Sequence, residues 1–272
     1  MIIRYASDLH LEFGMNSRYL RSHPLAEVGD VLLLAGDVAY LENRRLEKDP
    51  FFDWSAEHFR ETVIVPGNHE YYRDPVAREG RQDGVPVEST LVDYEHKVRE
   101  NVRYLNNRSM VFGDVEVFAT TLWTVARPVD YVAIQNGMSD CHQILYRGHR
   151  LWADEFTELH GVCRSWLYGA LEKSAARHKV VLTHHCPVTD PAFDRYSPSS
   201  ALYSAFHVDM ARFIGEHDVD AWIYGHTHCN GGSGTAFPSK KGEGTLLLCS
   251  QLGYLSCGEE RGGFDAGAVL KV

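Results

Sequence analysis

A chain of 272 residues with 44% hydrophobic and 24% charged side chains has the composition of a soluble globular protein and the length for one large α/β core. Its formal net charge of -10 argues against a long polyanionic partner, since sequence-independent nucleic-acid binding depends on clustered Lys and Arg. No apolar run nears the roughly 20 residues needed to span a bilayer, and no basic-then-apolar leader precedes the first strand-like run. No membrane partner and a cytoplasmic location are therefore expected. The scattered cysteines Cys141, Cys163, Cys186, Cys229, Cys249 and Cys257 form no C-x-x-C pair and read as reduced thiols.

Taken along the chain, Ile2-Ile3-Arg4-Tyr5-Ala6 reads as a strand that exits into Asp8-Leu9-His10. Val31-Leu32-Leu33-Leu34-Ala35 exits into Gly36-Asp37, and Val63-Ile64-Val65 into Gly67-Asn68-His69-Glu70. Such short aliphatic and β-branched runs suit strands buried on both faces. The residues from Tyr71 to Glu88 lack periodicity, and the spacing of Leu91, Tyr94, Val98 and Val102 predicts a helix over Leu91–Tyr104. Val115-Glu116-Val117-Phe118-Ala119 is a further strand, delivering Thr120 to Trp123. Residues 71–110 and 124–150 are read as insertions in a single domain spanning 1–272, walling a substrate cleft.

In the second half an amphipathic helix is predicted over Leu151–Arg177, with Phe156, Leu159, Val162, Trp166, Leu167, Ala170 and Leu171 at helical spacing. It feeds the strand Val180-Val181-Leu182-Thr183, which delivers His184-His185. A second helix, over about Ser199–His217, feeds Ala221-Trp222-Ile223-Tyr224, which delivers Gly225-His226-Thr227-His228. Late strands are expected at Thr245–Cys249 and Ala268–Leu270. Helices between strands favour an α/β sheet covered on both faces.

Ligands bind beyond the carboxyl ends of strands in open α/β sheets, so the strand-end motifs can converge on one site. Asp8 and His10, like His226 and His228, are spaced to turn towards one ion. Asp37 has two oxygens and can bridge two ions; Asn68 offers an amide oxygen and His184 a further imidazole. This mixed donor set suits Mn, Fe, Zn or Ni, with Mn favoured. Two divalent ions balanced by Asp8, Asp37 and a bridging hydroxide leave a charge of about +1, which suits a phosphate oxygen. His69, beside Asn68, is placed to protonate a leaving alkoxide.

With these residues in this order the chain resembles the calcineurin-like metallophosphoesterases, whose motifs run D-x-H, GD, GNH(D/E), H and GHxH. The resemblance, carried by Asp8 to His228, is to the small bacterial-type members. It implies a four-layer α/β/β/α sandwich with a dinuclear metal site at the strand ends. One ion would take Asp8, His10, Asp37 and His228, the other Asp37, Asn68, His184 and His226, with His69 as the acid. The protein-phosphatase members extend the second motif to G-D-x-x-D, whose last aspartate orients the catalytic histidine. Here that position is Tyr40, and the second motif also lacks the following Arg-Gly typical of that group.

The function expected is hydrolysis of a small phosphodiester, such as a nucleotide, by hydroxide bridging the two ions and attacking phosphorus in line. A phosphomonoesterase and a non-catalytic metal-binding scaffold of the same fold are the alternatives, with a nuclease set aside by the charge. Asn68 and His185 are candidate substrate contacts. Trp123 is read as core. Tyr71 and Tyr72 are read as core or as stacking partners for a base or aryl group, and Gln251 to Tyr254 as a turn or a segment approaching the site from the opposite side.

Overall fold

The computed structural model describes residues 1–74, 84–190 and 197–272. Its strands are β1 (Ile2–Ala6), β2 (Val31–Leu34), β3 (Glu61–Ile64), β4 (Tyr94–Arg99), β5 (Val102–Asn106), β6 (Arg108–Phe112), β7 (Val115–Thr120), β8 (Leu145–Tyr146), β9 (His149–Arg150), β10 (His178–Thr183), β11 (Ala221–Ile223), β12 (Thr235–Phe237), β13 (Thr245–Leu248) and β14 (Val269–Lys271). The α-helices are α1 (Gly14–Ser22), α2 (Pro50–His58), α3 (Tyr131–Gly137), α4 (Asp140–Gln143), α5 (Glu155–Lys173) and α6 (Ala211–Glu216).

Two six-stranded sheets share one plan. The first runs β14-β1-β2-β3-β5-β4 and the second β12-β13-β11-β10-β7-β6. In each, four central strands are parallel and both edge strands antiparallel. Alternation along the strands sorts the core into layers. Val31 and Leu33 face the opposite sheet, where Val117, Val180, Leu182 and Ile223 meet them. Leu32 and Leu34 join the cluster that holds Phe51, Phe52 and Phe156. On the outer face of the second sheet, Leu167 and Phe213 pack on Trp222 and Val181. The expected sandwich, with helices outside two facing sheets, is the fold observed.

Two predicted helices are corrected. Leu91–Tyr104 contains no α-helix: Tyr94 pairs with Asn106 and Lys97 with Arg103 in an antiparallel ladder. Pairing of β5 with β3 explains this, because a helix there would leave the edge of β3 open. Residues 94–106 are thus part of the sheet rather than a wall added to it. The helix over Ser199–His217 is broken into a 3-10 turn, Tyr203–Ala205, and the short α6. Between them Val208 N donates to Cys186 O at 3.0 Å and Met210 N to Pro187 O at 2.9 Å, so the backbone is held extended just after His184-His185. The loop from Tyr71 to Glu88 falls at 75–83 outside the described residues. No helix among the described residues is long and apolar enough to cross a membrane, and none of the six cysteines is in a disulfide.

Candidate metal centre

All five motifs emerge from carboxyl ends of β1, β2, β3, β10 and β11 at the seam between the sheets. The turn that aims the side chains is a left-handed backbone conformation at Asp8, His10, Asp37, His226 and His228, with φ between 49° and 74°. Few non-glycine residues adopt it, and strain of this kind gathers at functional sites. The glycines of the motifs make room: a Cβ on Gly36 would lie 2.5 Å from His184 Nδ1, and one on Gly225 2.7 Å from Asp8 Oδ2. Glu70, the last residue of Gly67-Asn68-His69-Glu70, ties the loops together. Its carboxylate accepts from Asp37 N at 2.9 Å, Val38 N at 2.8 Å and Gly67 N at 2.7 Å.

The side chains expected to hold metal do converge. His10 Nε2 lies 3.2 Å from His228 Nε2, and His228 Nε2 lies 3.2 Å from Asp8 Oδ1. On the other side His184 Nε2 lies 3.1 Å from His226 Nδ1, 2.9 Å from Asn68 Oδ1 and 3.4 Å from Asp37 Oδ1. Asp37 belongs to both sides, its Oδ2 standing 3.9 Å from His10 Nε2. Asp8, His10 and His228 form one potential metal-holding group and Asp37, His184 and His226 another, while His69 joins His10 and Asp37 in a third. Cysteine enters none of these among the described residues.

The donor set fits a cation, on the following ground. His10 Nδ1 is turned to Glu12 Oε1 at 3.0 Å, His228 Nδ1 to Glu259 Oε2 at 2.5 Å and His184 Nδ1 to the Ala35 carbonyl at 2.8 Å. Those contacts suit an N–H on each Nδ1, which leaves the opposite nitrogens, that of His228 after loss of its second proton, to face an ion. Their spacings match the donor-to-donor edges, about 3.0–3.4 Å, around an ion with bonds of about 2.1 Å. Charges shift accordingly. Burial would raise the Asp8 carboxyl, but His228 with His184 and His10 holds it below the usual carboxylate range. Burial opposes charge on His228, yet Asp8 and Glu259 carry its pKa up to about 9. Burial also pushes His10 and His184 down to about 4, and Asp37 up, with Glu70 and Asp8 adding repulsion.

His69 stands beside this cluster. Its Nδ1 faces Glu12 Oε1 at 2.9 Å and its Nε2 faces Tyr254 Oη at 3.0 Å, with Asp37 Oδ2 3.9 Å from the same nitrogen. The ring stacks on Tyr72, centroids 4.3 Å apart. Asn68 is oriented by Asp140: Nδ2 donates to Asp140 Oδ1 at 2.8 Å, leaving the amide oxygen for the cluster. Tyr72 donates to the same oxygen. Gln251 accepts from His228 N at 2.7 Å, so the segment ending in Tyr254 does approach from the opposite side.

His185 is fully buried behind the ligands, its ring 4.3 Å from His226 and its Nδ1 3.1 Å from the Thr121 carbonyl. Trp123 and Tyr71 are core, packed on each other with centroids 5.9 Å apart. Sequence reasoning passed over Glu12, Glu259 and the role of Asp140. The spacing Asp8-x-His10-x-Glu12 was a usable signal for the first; Glu259 had none.

Together, fold and cluster define a phosphoester hydrolase that depends on divalent metal ions. The sequence profile of the calcineurin-like phosphoesterases matches residues 1–230, and the chain belongs to that family. An uncharacterised protein of Acanthamoeba polyphaga mimivirus is 25% identical to it over an alignment of 299 positions, covering 100% of this chain and 96% of that protein. The phosphopantetheinyl hydrolase of Mycobacterium tuberculosis has the same fold, with a TM-score of 0.70, 16% identity and coverage of 98% and 95%. A dimetal phosphatase of Danio rerio aligns with a TM-score of 0.39 and 13% identity, over 92% and 86% of the two chains.

Proposed function

We propose that this chain cleaves small phosphodiesters, with Asp8, His10, Asp37 and His228 holding one divalent ion and Asp37, Asn68, His184 and His226 a second. The observation that carries the reading is the close approach of imidazole nitrogens on both sides of a shared carboxylate, 3.2 Å apart at His10–His228 and 3.1 Å at His184–His226. When bound, such ions lower the pKa of water and clamp the attacking and leaving oxygens of an in-line displacement. The protein's own part is positional. Asp37 spans both groups, Asp140 keeps the Asn68 amide oxygen turned inward, and burial excludes bulk water. His69, reaching past the cluster on the Asp37 side, delivers a proton to the departing oxygen.

The incomplete protein-phosphatase signature, with Tyr40 where that group's second aspartate would stand, favours a diester over a monoester. Mn is favoured as the metal from the mixed nitrogen and oxygen donors. The test compares bis(p-nitrophenyl) phosphate with p-nitrophenyl phosphate on metal-stripped protein reloaded with Mn, with His226→Ala as control. Faster diester release that the variant loses is expected. A monoester preference would turn the reading to a phosphatase, and no release with two ions bound would turn it to a metal-binding scaffold.

A further inference from the structure

His69 and His10 share one acceptor. Glu12 Oε1 sits 2.9 Å from His69 Nδ1 and 3.0 Å from His10 Nδ1, while the rings meet edge to face, centroids 4.5 Å apart. The Glu12 side chain is 2% exposed, and its Oε2 is buried with no hydrogen-bond partner among the described residues. A carboxylate accepts and cannot donate, so each imidazole must present an N–H to Oε1. The proton on Nδ1 leaves His10 Nε2 bare towards the cluster, and leaves His69 Nε2 free to accept from Tyr254 or to carry a second proton.

We infer that Glu12 is a positioning residue that fixes the Nδ1–H form and the orientation of both rings, so that one oxygen couples a metal ligand to the proton donor. The His69 arm of this inference rests on the function proposed above; the His10 arm does not. Glu12 thereby fills the place left open by Tyr40, where a G-D-x-x-D aspartate would orient the histidine. It does so from the first motif, two residues after the ligand His10. Carboxylates that accept from a ligating histidine fix its tautomer, and their loss typically costs 10–100-fold in metal affinity or activity.

The test uses the full chain loaded with Zn, which is diamagnetic, and Glu12→Gln alone and combined with His69→Ala. In the wild type, two-bond proton–nitrogen spectra should show both His10 and His69 protonated on Nδ1. A ring carrying its only proton on Nε2 overturns the inference, whether or not the protein is active and whether or not the variant folds. In Glu12→Gln, Zn affinity measured by chelator competition should fall about tenfold in both backgrounds, through His10. Hydrolysis of phenyl diesters, whose leaving group needs a proton, should fall about tenfold, and that of p-nitrophenyl diesters much less. The phenyl loss should vanish when His69 is already Ala. Unchanged Zn affinity, or a rate loss that persists undiminished without His69, overturns it. A wild type that hydrolyses no ester with both ions bound removes the acid role of His69, while the tautomer and affinity results still decide the part played by Glu12.

Discussion

The two halves of the metal centre use the same donor types and support them differently. His10 and His228 each turn Nδ1 to a carboxylate, Glu12 and Glu259. His184 and His226 turn their outer nitrogens to the main-chain carbonyls of Ala35 and Ala205, at 2.8 and 3.4 Å, and Asn68 replaces a carboxylate with an amide. A carboxylate behind an imidazole raises its basicity as a ligand, whereas a carbonyl orients it without added charge. The first half should therefore hold its ion more tightly, and the second should exchange its ion more readily. Asp37 is the element common to both, and the largest effect should come from it. Asp37→Asn keeps the hydrogen bond from His69 N, 2.9 Å in the native chain, and removes the shared negative charge. Diester turnover should fall by at least about 10³-fold, roughly 4 kcal/mol, with fewer than two ions bound by elemental analysis. Full occupancy of both ions in that variant would show that neither half depends on the shared carboxylate.

The carboxylate behind one half gives the next test. Glu259→Gln should weaken only the tighter of two sequential Mn binding steps, by about 10–100-fold in a calorimetric titration, and leave the weaker step in place. If both steps move equally, the halves are not separable in the way their supports imply.

The strand framework was legible in the sequence because buried parallel strands are continuous apolar runs, and each run ended at its motif. Placement of Asp8, His10, Asp37, Asn68, His184, His226 and His228 in one cluster follows from that order. The apolar residues Leu91, Tyr94, Val98 and Val102 deceived because their spacing suits one helix face, while the pull of the β3 edge is a tertiary fact that no local pattern carries. Glu259 was hidden for a related reason, since it reaches His228 across 31 positions. The spacing Asp8-x-His10-x-Glu12 signals the contact with His10, but the reach of Glu12 to His69 across 57 positions depends on one sheet carrying both β1 and β3, which no local pattern shows.

Protons sharpen the comparison in the metal-free protein. His228, held up to about 9, is charged in the fold and adds stability that is full below about 6.5, the usual imidazole value, and lost as pH rises through 9. His184 and His10, buried and pushed to about 4, act oppositely: the unfolded chain takes the proton first, so stability falls as pH drops from 6.5 towards 4. Each group contributes a slope of at most about 1.4 kcal/mol per pH unit. Urea midpoints of the stripped protein should peak near pH 6.5. His228→Asn should flatten the alkaline limb alone, and His184→Asn should blunt the acid limb alone; a variant that alters both limbs would show the halves to be electrostatically one unit.

The smallest effect concerns the aromatic rings that edge each half. Phe13, 41% exposed, lies 5.7 Å from the His10 ring, 6.3 Å from His69 and 5.6 Å from Tyr254, on the side of the carboxylate-backed ligands and the proton donor. Phe206 stacks on His226 at 4.9 Å, on the other side. If His69 delivers its proton to the departing oxygen, the leaving group must pass beside Phe13 and not beside Phe206. Loss of an aromatic contact costs about 0.5–1.5 kcal/mol. Phe13→Ala should then raise KM for aryl diesters about threefold to tenfold and leave dimethyl phosphate unaffected, whereas Phe206→Ala should change both esters alike through its contact with His226. The reverse pattern would put the leaving group on the carbonyl-backed half and take the proton donor's role away from His69.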